Sequence, residues 1–136
     1  MEQRDWERTF PNAFLDHNFM EIQETAPDRA VVSLTIRPES RNPYGYVHGG
    51  ALYAMADNAS GLAAHSDGRS YVTRSGSLHF LSNRTEGTIR AEGTVRSRGR
   101  RTCLVEVLIT DSDGRLLASG TFDWFCVDER VRPLPA

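Results

Sequence analysis

A chain of 136 residues is long enough for one domain with a buried core and too short for two. Its 16 basic and 18 acidic residues give a formal charge of -2, which argues against nucleic acid or an anionic membrane as the main partner. The sequence has no run of about 18 apolar residues that could span a bilayer, and residues 1–8 lack the apolar core of a signal peptide. We therefore expect a cytoplasmic protein.

Aromatic residues dominate the beginning of the chain. Residues 5–19 are predicted to form a short helical segment that packs these side chains onto the core: Trp6, Phe10, Phe14 and Phe19. Residues 20–26 and 30–37 are predicted strands on either side of a turn at Pro27. In the second of them apolar and polar residues alternate, which is typical of a sheet covered on one side.

A turn and then a helix follow. Pro43 and Gly45 predict the turn, Gly49 and Gly50 open the backbone, and the alanine-rich run over residues 51–64 predicts the helix. The apolar residues of this helix point in several directions. We therefore expect it to be surrounded by protein.

Asp57 is the exception in this apolar helix. A carboxylate in such a place costs free energy unless it is paired, hydrogen-bonded or used in chemistry, so Asp57 is the first candidate for catalysis. The alternative is a structural carboxylate that caps a neighbouring loop. At about 100° per residue, Asp57 lies on the opposite side of the helix from His48 and roughly 13 Å further along. If both serve one site, two subunits must each lend a helix start to the other's carboxylate.

The rest of the chain is predicted to form four antiparallel strands joined by tight turns, over residues 71–81, 88–96, 102–110 and 115–127. Residues 129–136 are a tail. Two strands, one buried helix and four more strands predict an α+β fold in which a curved sheet wraps a central helix. Cys103 and Cys126 lie in apolar strand patterns without metal-ligand spacing, so they are interpreted as buried thiols, and no metal site is predicted.

Residues 1–136 are expected to form a single domain. A short motif in it consists of an amide residue, a glycine, then His-Gly-Gly, then an acid nine positions after the histidine: Asn42, Gly45, His48, Gly49, Gly50 and Asp57. With this motif and the order of its elements, the sequence resembles, over nearly the whole chain, the hotdog-fold acyl-CoA thioesterases of the phenylacetic-acid-pathway type. The chain departs from the pattern at Gly61, where some relatives have a hydroxyl, and at Ser82-Asn83, which replaces a proline-containing exit from the strand.

The resemblance implies a role for each matching residue. The amide of Gly49 would polarise the thioester carbonyl, and Gly50 would lie beside it in the substrate site. Asp57 of the neighbouring subunit would be the nucleophile or general base. Asn42 and His48 would orient the thioester and water, and Thr73 would place a hydroxyl near that water. Independently of the resemblance, free amides at a helix N-terminus can stabilise an oxyanion without a metal.

Each of these roles has a plainer alternative. His48 is otherwise an N-terminal cap, Asn42 a turn residue holding its own backbone, and Thr73 an ordinary strand residue. A group of arginines is either a solvated rim or a binding site for the phosphates of coenzyme A, with Arg84, Arg98 and Arg100 as the candidates. Coenzyme A would be part of the substrate, so no cofactor is expected.

The leading functional hypothesis is therefore an acyl-CoA thioesterase that acts as a homodimer or a dimer of dimers, with its sites at the subunit interface. The alternatives are a noncatalytic acyl-CoA-binding or sensing module and a dehydratase on the same fold. If Asp57 is buried, the thioesterase hypothesis is favoured, because a noncatalytic binding module has no reason to bury a carboxylate. Four aromatic residues, Tyr44, Tyr46, Tyr53 and Phe80, suggest a pocket that tolerates an aryl group, although they are equally ordinary packing residues.

Overall fold

A computed structural model describes residues 12–132, where six strands form one sheet and a long helix lies across it. The helices are α1, Ala13–His17, and α2, Gly49–Ala64. The strands are β1, Met20–Ala26; β2, Arg29–Thr35; β3, Ser70–Phe80; β4, Thr88–Arg98; β5, Thr102–Asp111; and β6, Leu116–Asp128. Residues 5–11 of the expected N-terminal segment, including Trp6 and Phe10, and residues 133–136 of the tail lie outside the described part.

The strand order in the sheet is β1-β2-β4-β5-β6-β3, and all neighbours are antiparallel. The chain leaves β2 through α2 and joins the sheet again at β3, which forms the far edge. The predicted α+β architecture, a sheet around one central helix, is confirmed, and each predicted strand ends within two residues of the observed one. One edge of β3 remains without a neighbouring strand in the described chain.

Small residues let α2 lie close against the sheet. Leu52 and Met55 are fully buried on the inner face of the helix, and burial of each such side chain stabilises the fold by about 1.5–3 kcal/mol. On the sheet, Gly93 lies directly under the helix, and a Cβ atom there would come within 2.8 Å of the carbonyl oxygen of Ala59. Glycine at this position therefore permits the close packing that holds α2 in place.

The expectation that protein surrounds the whole of α2 is wrong for a single chain. Gly50 and Tyr53 are exposed, and Ala54, Asp57 and Asn58 are half-buried. These positions follow the spacing of one helical face, and the curved sheet covers the opposite face. This open face of α2 contains the candidate catalytic carboxylate.

The expectation for the two cysteines holds, because Cys103 and Cys126 are both free and buried in the core. Residues 12–132 contain no cluster of side chains that could bind a metal ion. Within the same residues, no helix has the length and hydrophobicity needed for a membrane span.

Candidate active site

The N-terminus of α2 presents a backbone amide that has no acceptor in the described part of the chain. The Gly50 N–H donates to Nδ1 of His48 at 2.9 Å. The N–H groups of Ala51 and Leu52 donate to the carbonyl oxygen of the same histidine at 2.9 and 3.1 Å. The Gly49 N–H remains, and its place at the positive end of the helix suits it to an anionic or polarised oxygen.

His48 is the N-cap of α2, as the plainer interpretation predicted. Because Nδ1 accepts a hydrogen bond, the proton of the neutral imidazole lies on Nε2. The side chain is exposed, so this second nitrogen is a donor available to a ligand. Capping and substrate orientation use different ring nitrogens and are therefore compatible.

Asn42 closes the loop that precedes the helix. Its Oδ1 accepts hydrogen bonds from the N–H groups of Tyr44 at 2.9 Å and Tyr46 at 3.2 Å. Its own backbone N–H donates to the Tyr46 carbonyl oxygen at 2.7 Å, and Gly45 takes a positive φ of 87° in the turn. The amide oxygen thus holds the loop, as expected of a turn residue, which leaves the Nδ2 group for the predicted contact with a thioester or water.

Asp57 lies on the open face of α2 with its side chain half-buried. The Thr73 hydroxyl donates to Oδ1 of Asp57 at 2.7 Å. Burial raises the pKa of Asp57 above its ordinary value, and the hydrogen bond from Thr73 offsets part of this rise by stabilising the charged form. A carboxylate with a raised pKa is a stronger base than an ordinary aspartate.

A β-bulge directs Thr73 towards the helix. Thr73 is paired with Trp124 and Ser75 with Asp123, so Arg74 is an extra residue on β3. Trp124 is buried beneath α2, and Thr73 shares its side of the sheet. Arg74 forms an ion pair with Asp123. The bulge therefore re-aims the strand next to the carboxylate, a common arrangement beside active sites.

Asp57 borders both a cavity and a groove. The cavity has a volume of about 490 Å³ and extends from Asp57 along the second half of α2 to the start of β3 and the end of β6. The groove is more open and runs along the helix surface from Asp57 and Thr73 to Gly50, two turns towards the N-terminus. A ligand in the groove would therefore pass the carboxylate at the mouth of the cavity.

The amide and the carboxylate of one chain are too far apart to act on one thioester. Asp57 follows Gly49 by eight positions, which is about 12 Å along the helix axis. Reacting atoms must come within about 3–3.5 Å of each other. The structure therefore brings together Asp57 and Thr73, and separately Asn42, His48 and Gly49, but it does not bring these two groups together within one chain.

The three candidate arginines do not form one patch. Arg84 precedes β4, whereas Arg98 and Arg100 lie at its other end, so about 33 Å of strand separates them. Arg84 donates to Asp111 at 2.8 Å, and Arg100, whose side chain is 78% exposed, donates to Glu129 at 2.9 Å. One coenzyme molecule cannot use both ends of β4 in a single chain.

Arg98 is engaged within the protein. Its guanidinium donates to the carboxylates of Asp28 and Asp67, to the Tyr71 hydroxyl and to the carbonyl oxygens of Ala63 and Ala64 at the end of α2. A phosphate at Arg98 would have to displace some of these acceptors. Its role as a phosphate ligand stays a prediction, as do those of Arg84 and Arg100.

Sequence reasoning missed two contacts near Asp57. The Asn12 side-chain amide donates to Oδ1 of Asn58 at 2.8 Å and so ties α1 to α2 beside the carboxylate. Trp124 packs against the backbone of α2 at Gly61, where a Cβ atom would lie 2.6 Å from the indole ring. Both contacts join residues more than 45 positions apart, and nothing in the spacing of one sequence connects them. The sequence showed that Gly61 departs from the family pattern, but it did not show that Trp124 packs against this glycine.

Comparisons with known proteins agree on one family. A model described as "Thioesterase superfamily" matches residues 44–118, more than half of the chain. A protein of Saccharolobus solfataricus, provisionally named an esterase, is 30% identical over 88% of this chain and 84% of its own length. The acyl-coenzyme A thioesterase PaaI of Escherichia coli K12 is 30% identical over 65% of this chain and 64% of its own.

A solved structure shows the same similarity in three dimensions. A hypothetical thioesterase protein of Streptococcus pneumoniae TIGR4, crystallised with coenzyme A, superposes with a TM-score of 0.80 at 31% identity. The match covers 85% of this chain and 92% of that one.

The contact between Thr73 and Asp57 predicts a titration effect. In Thr73→Val the charged form of Asp57 loses its hydrogen bond, so its pKa should rise above the wild-type value. Carbon-13 NMR titration of the aspartate carboxyl groups measures this shift. Thr73→Ser, which keeps the hydroxyl, and Thr121→Val, on an exposed part of β6, should leave the pKa unchanged. An unchanged or lowered pKa in Thr73→Val would show that the hydroxyl does not stabilise the carboxylate.

Proposed function

The chain belongs to the thioesterase superfamily and is a thioester hydrolase, and we propose that it cleaves acyl-CoA to a free acid and coenzyme A at a site shared by two subunits. The main support is Asp57, a half-buried carboxylate of raised pKa at the mouth of a cavity. The similarity to a protein named acyl-coenzyme A thioesterase and to a structure crystallised with coenzyme A supports the choice of substrate. An aryl group is compatible with this cavity, since Tyr71 and Trp124 line it.

In the proposed reaction the Gly49 N–H of one subunit donates to the thioester carbonyl oxygen. The Asp57 carboxylate of the other subunit removes a proton from water, whose oxygen attacks the carbonyl carbon to form a tetrahedral oxyanion. When the oxyanion collapses, the C–S bond breaks and the thiolate of coenzyme A takes the proton from Asp57. Asp57 as a nucleophile gives the same products through an anhydride, which water then hydrolyses.

The other site residues are assigned supporting roles. His48, through Nε2, and Asn42, through Nδ2, orient the thioester and water at the helix start, and Gly50 borders the groove that receives the substrate. Thr73 orients the carboxylate. We assign the coenzyme phosphates to Arg100, whose side chain is the most exposed of the three candidate arginines.

A two-fold dimer would complete the site. The free edge of β3 is 11 residues long, and such an edge is a natural surface for pairing with a second copy. Beside it lie the exposed apolar side chains of Val72, Phe80 and Leu81, and Tyr53 is exposed on the open face of α2. Two copies related by a two-fold axis at this edge would place their helices antiparallel and form two sites.

The cytoplasmic location expected from the sequence stays a prediction.

Replacement of Asp57 by Asn tests the chemical role. Thioester hydrolysis should fall by about 10²–10⁴-fold, as is typical for loss of a general base. Burial raises the pKa of Asp57, so the carboxyl group contributes stability that is present at low pH and lost as pH rises through the folded-state pKa. At pH 7 the neutral Asn avoids this loss, and Asp57→Asn should be at least as stable as the wild type.

The measurements are free-thiol release from a panel of acyl-CoAs and urea denaturation at pH 7, with the exposed Asp16→Asn as the matched control. A variant that stays active and loses stability would make Asp57 a structural carboxylate. A wild-type protein that binds acyl-CoA without releasing thiol would instead be the noncatalytic binding module.

The shared site predicts that two inactive variants rescue each other. Gly49→Pro removes one N–H at the first helical position, where proline is tolerated, and His48 before it already has the extended backbone that proline requires. Mixing Gly49→Pro with Asp57→Ala should rebuild one intact site in each heterodimer, so that the activity per heterodimer rises to at most about one half of that of the wild-type dimer. Gly49→Ala, which keeps the amide and meets the Phe80 ring at an ordinary 3.7 Å, should remain active. If mass spectrometry shows subunit exchange and the mixture stays inactive, the shared-site model is wrong.

A further inference from the structure

We propose that the cavity behind Asp57 receives the acyl group and that it accepts apolar chain ends while rejecting polar ones. The inference rests on the proposed function, because it assumes that the thioester carbonyl lies beside Asp57. With a volume of about 490 Å³, the cavity is within the range of small-molecule sites and opens directly at the carboxylate. An acyl group whose carbonyl is at Asp57 can therefore extend into it.

The walls of the cavity are largely apolar. Side chains from both helices and three strands contribute: Leu15, Ile22, Leu62, Val72, Trp124 and Val127. Trp124 is held in a fixed position, because its indole N–H donates to the Ser60 hydroxyl at 3.0 Å and its ring packs where Gly61 has no side chain. The indole therefore offers carbon atoms to the cavity and keeps its N–H bonded inside the protein.

Polar side chains also line the cavity, and most of their hydrogen-bonding capacity is taken up by the protein. The Tyr71 hydroxyl donates to Asp67 at 2.5 Å and accepts from Arg69 at 2.7 Å and Arg98 at 2.9 Å. A phenol has one donor and two acceptor positions, so all three are used. Burial raises the pKa of Tyr71 to about 12, which keeps the hydroxyl protonated in this arrangement.

His65 and Arg69 are occupied in the same way. Nδ1 of His65 donates to the Gly61 carbonyl oxygen at 2.7 Å, while Nε2 accepts from the Tyr71 N–H at 3.2 Å. This arrangement requires the neutral ring, and burial lowers the pKa of His65 accordingly. The Arg69 guanidinium donates to Asp67, to Tyr71 and to two carbonyl oxygens of the β4–β5 turn. Both ring nitrogens of His65 are therefore used, and the Arg69 guanidinium has four of its five N–H groups bonded, which leaves one on Nη1.

Four other polar residues line the cavity: Asn12, Asn58, Ser70 and Arg132. The side chains of Asn12 and Asn58 bond to each other and to backbone groups of the helices. The Ser70 hydroxyl has no partner in the described chain, but it also has essentially no accessible surface, so a ligand does not reach it. Arg132 is exposed, so water competes for its charge. The cavity thus offers few free groups to a hydroxyl at the end of an acyl chain, which would lose most of its hydrogen bonds with water. Such mismatches lower kcat/KM by about 10- to 100-fold.

The direct test compares two acyl-CoAs of equal length, nonanoyl-CoA and 8-hydroxyoctanoyl-CoA, which differ by a methyl and a hydroxyl group at the chain end. We expect kcat/KM to be at least about 10-fold higher for nonanoyl-CoA. The dissociation constants of the two compounds, measured with the Asp57→Asn variant, should differ in the same direction. Equal values for the two compounds, or a preference for the hydroxylated one, would overturn the inference.

A variant that fills the cavity locates the acyl group. Leu62→Trp should lower kcat/KM for nonanoyl-CoA by at least about 10-fold and leave acetyl-CoA within about 3-fold of the wild type. Leu108→Trp, the same substitution at an exposed position on β5, should change neither value. Equal loss for both substrates would place the acyl group elsewhere. Absence of turnover with every acyl-CoA would refute the proposed function instead, and the binding comparison would still test the cavity.

Discussion

The candidate active site depends on the burial of one carboxylate in a helix whose other residues are mostly small and apolar. Asp57 is half-buried, and the Thr73 hydroxyl offsets only part of the cost of removing it from water. The helix keeps its position despite this cost because the sheet packs closely against it, with Gly93 leaving room for the helix backbone. Desolvated charged groups of this kind are common where a side chain acts in chemistry, and here the desolvation places a basic oxygen at the mouth of a cavity.

The same helix supplies the second half of the chemistry at its other end. His48 caps α2 through Nδ1, which satisfies the Gly50 amide and leaves the Gly49 amide free for an oxygen outside the chain. The distance along α2 then determines that two subunits are needed, because about 12 Å separates the free Gly49 amide from Asp57. A rigid helix cannot close that gap, so a second subunit is the simplest way to bring the two groups to one thioester.

The fold could be predicted from the sequence because alternating strands and an alanine-rich helix are local patterns. The candidate residues from Asn42 to Asp57 also lie in one short motif, which spans the loop before α2 and the first half of the helix, so their positions followed once the helix start was known. Contacts between distant residues could not be predicted. The packing of Trp124 on Gly61 depends on how two elements cross, and the engagement of Arg98 with the end of α2 depends on side-chain directions at a turn.

The most direct test is a crystal structure with an acyl-CoA analogue in which a ketone replaces the thioester carbonyl. Shared-site catalysis predicts the ketone oxygen within about 3 Å of the Gly49 nitrogen of one subunit. The ketone carbon should then lie within about 3–3.5 Å of Asp57 of the other subunit, or of a water held by that carboxylate. A ketone held by Gly49 and Asp57 of the same subunit, or one remote from Asp57 altogether, would contradict the account.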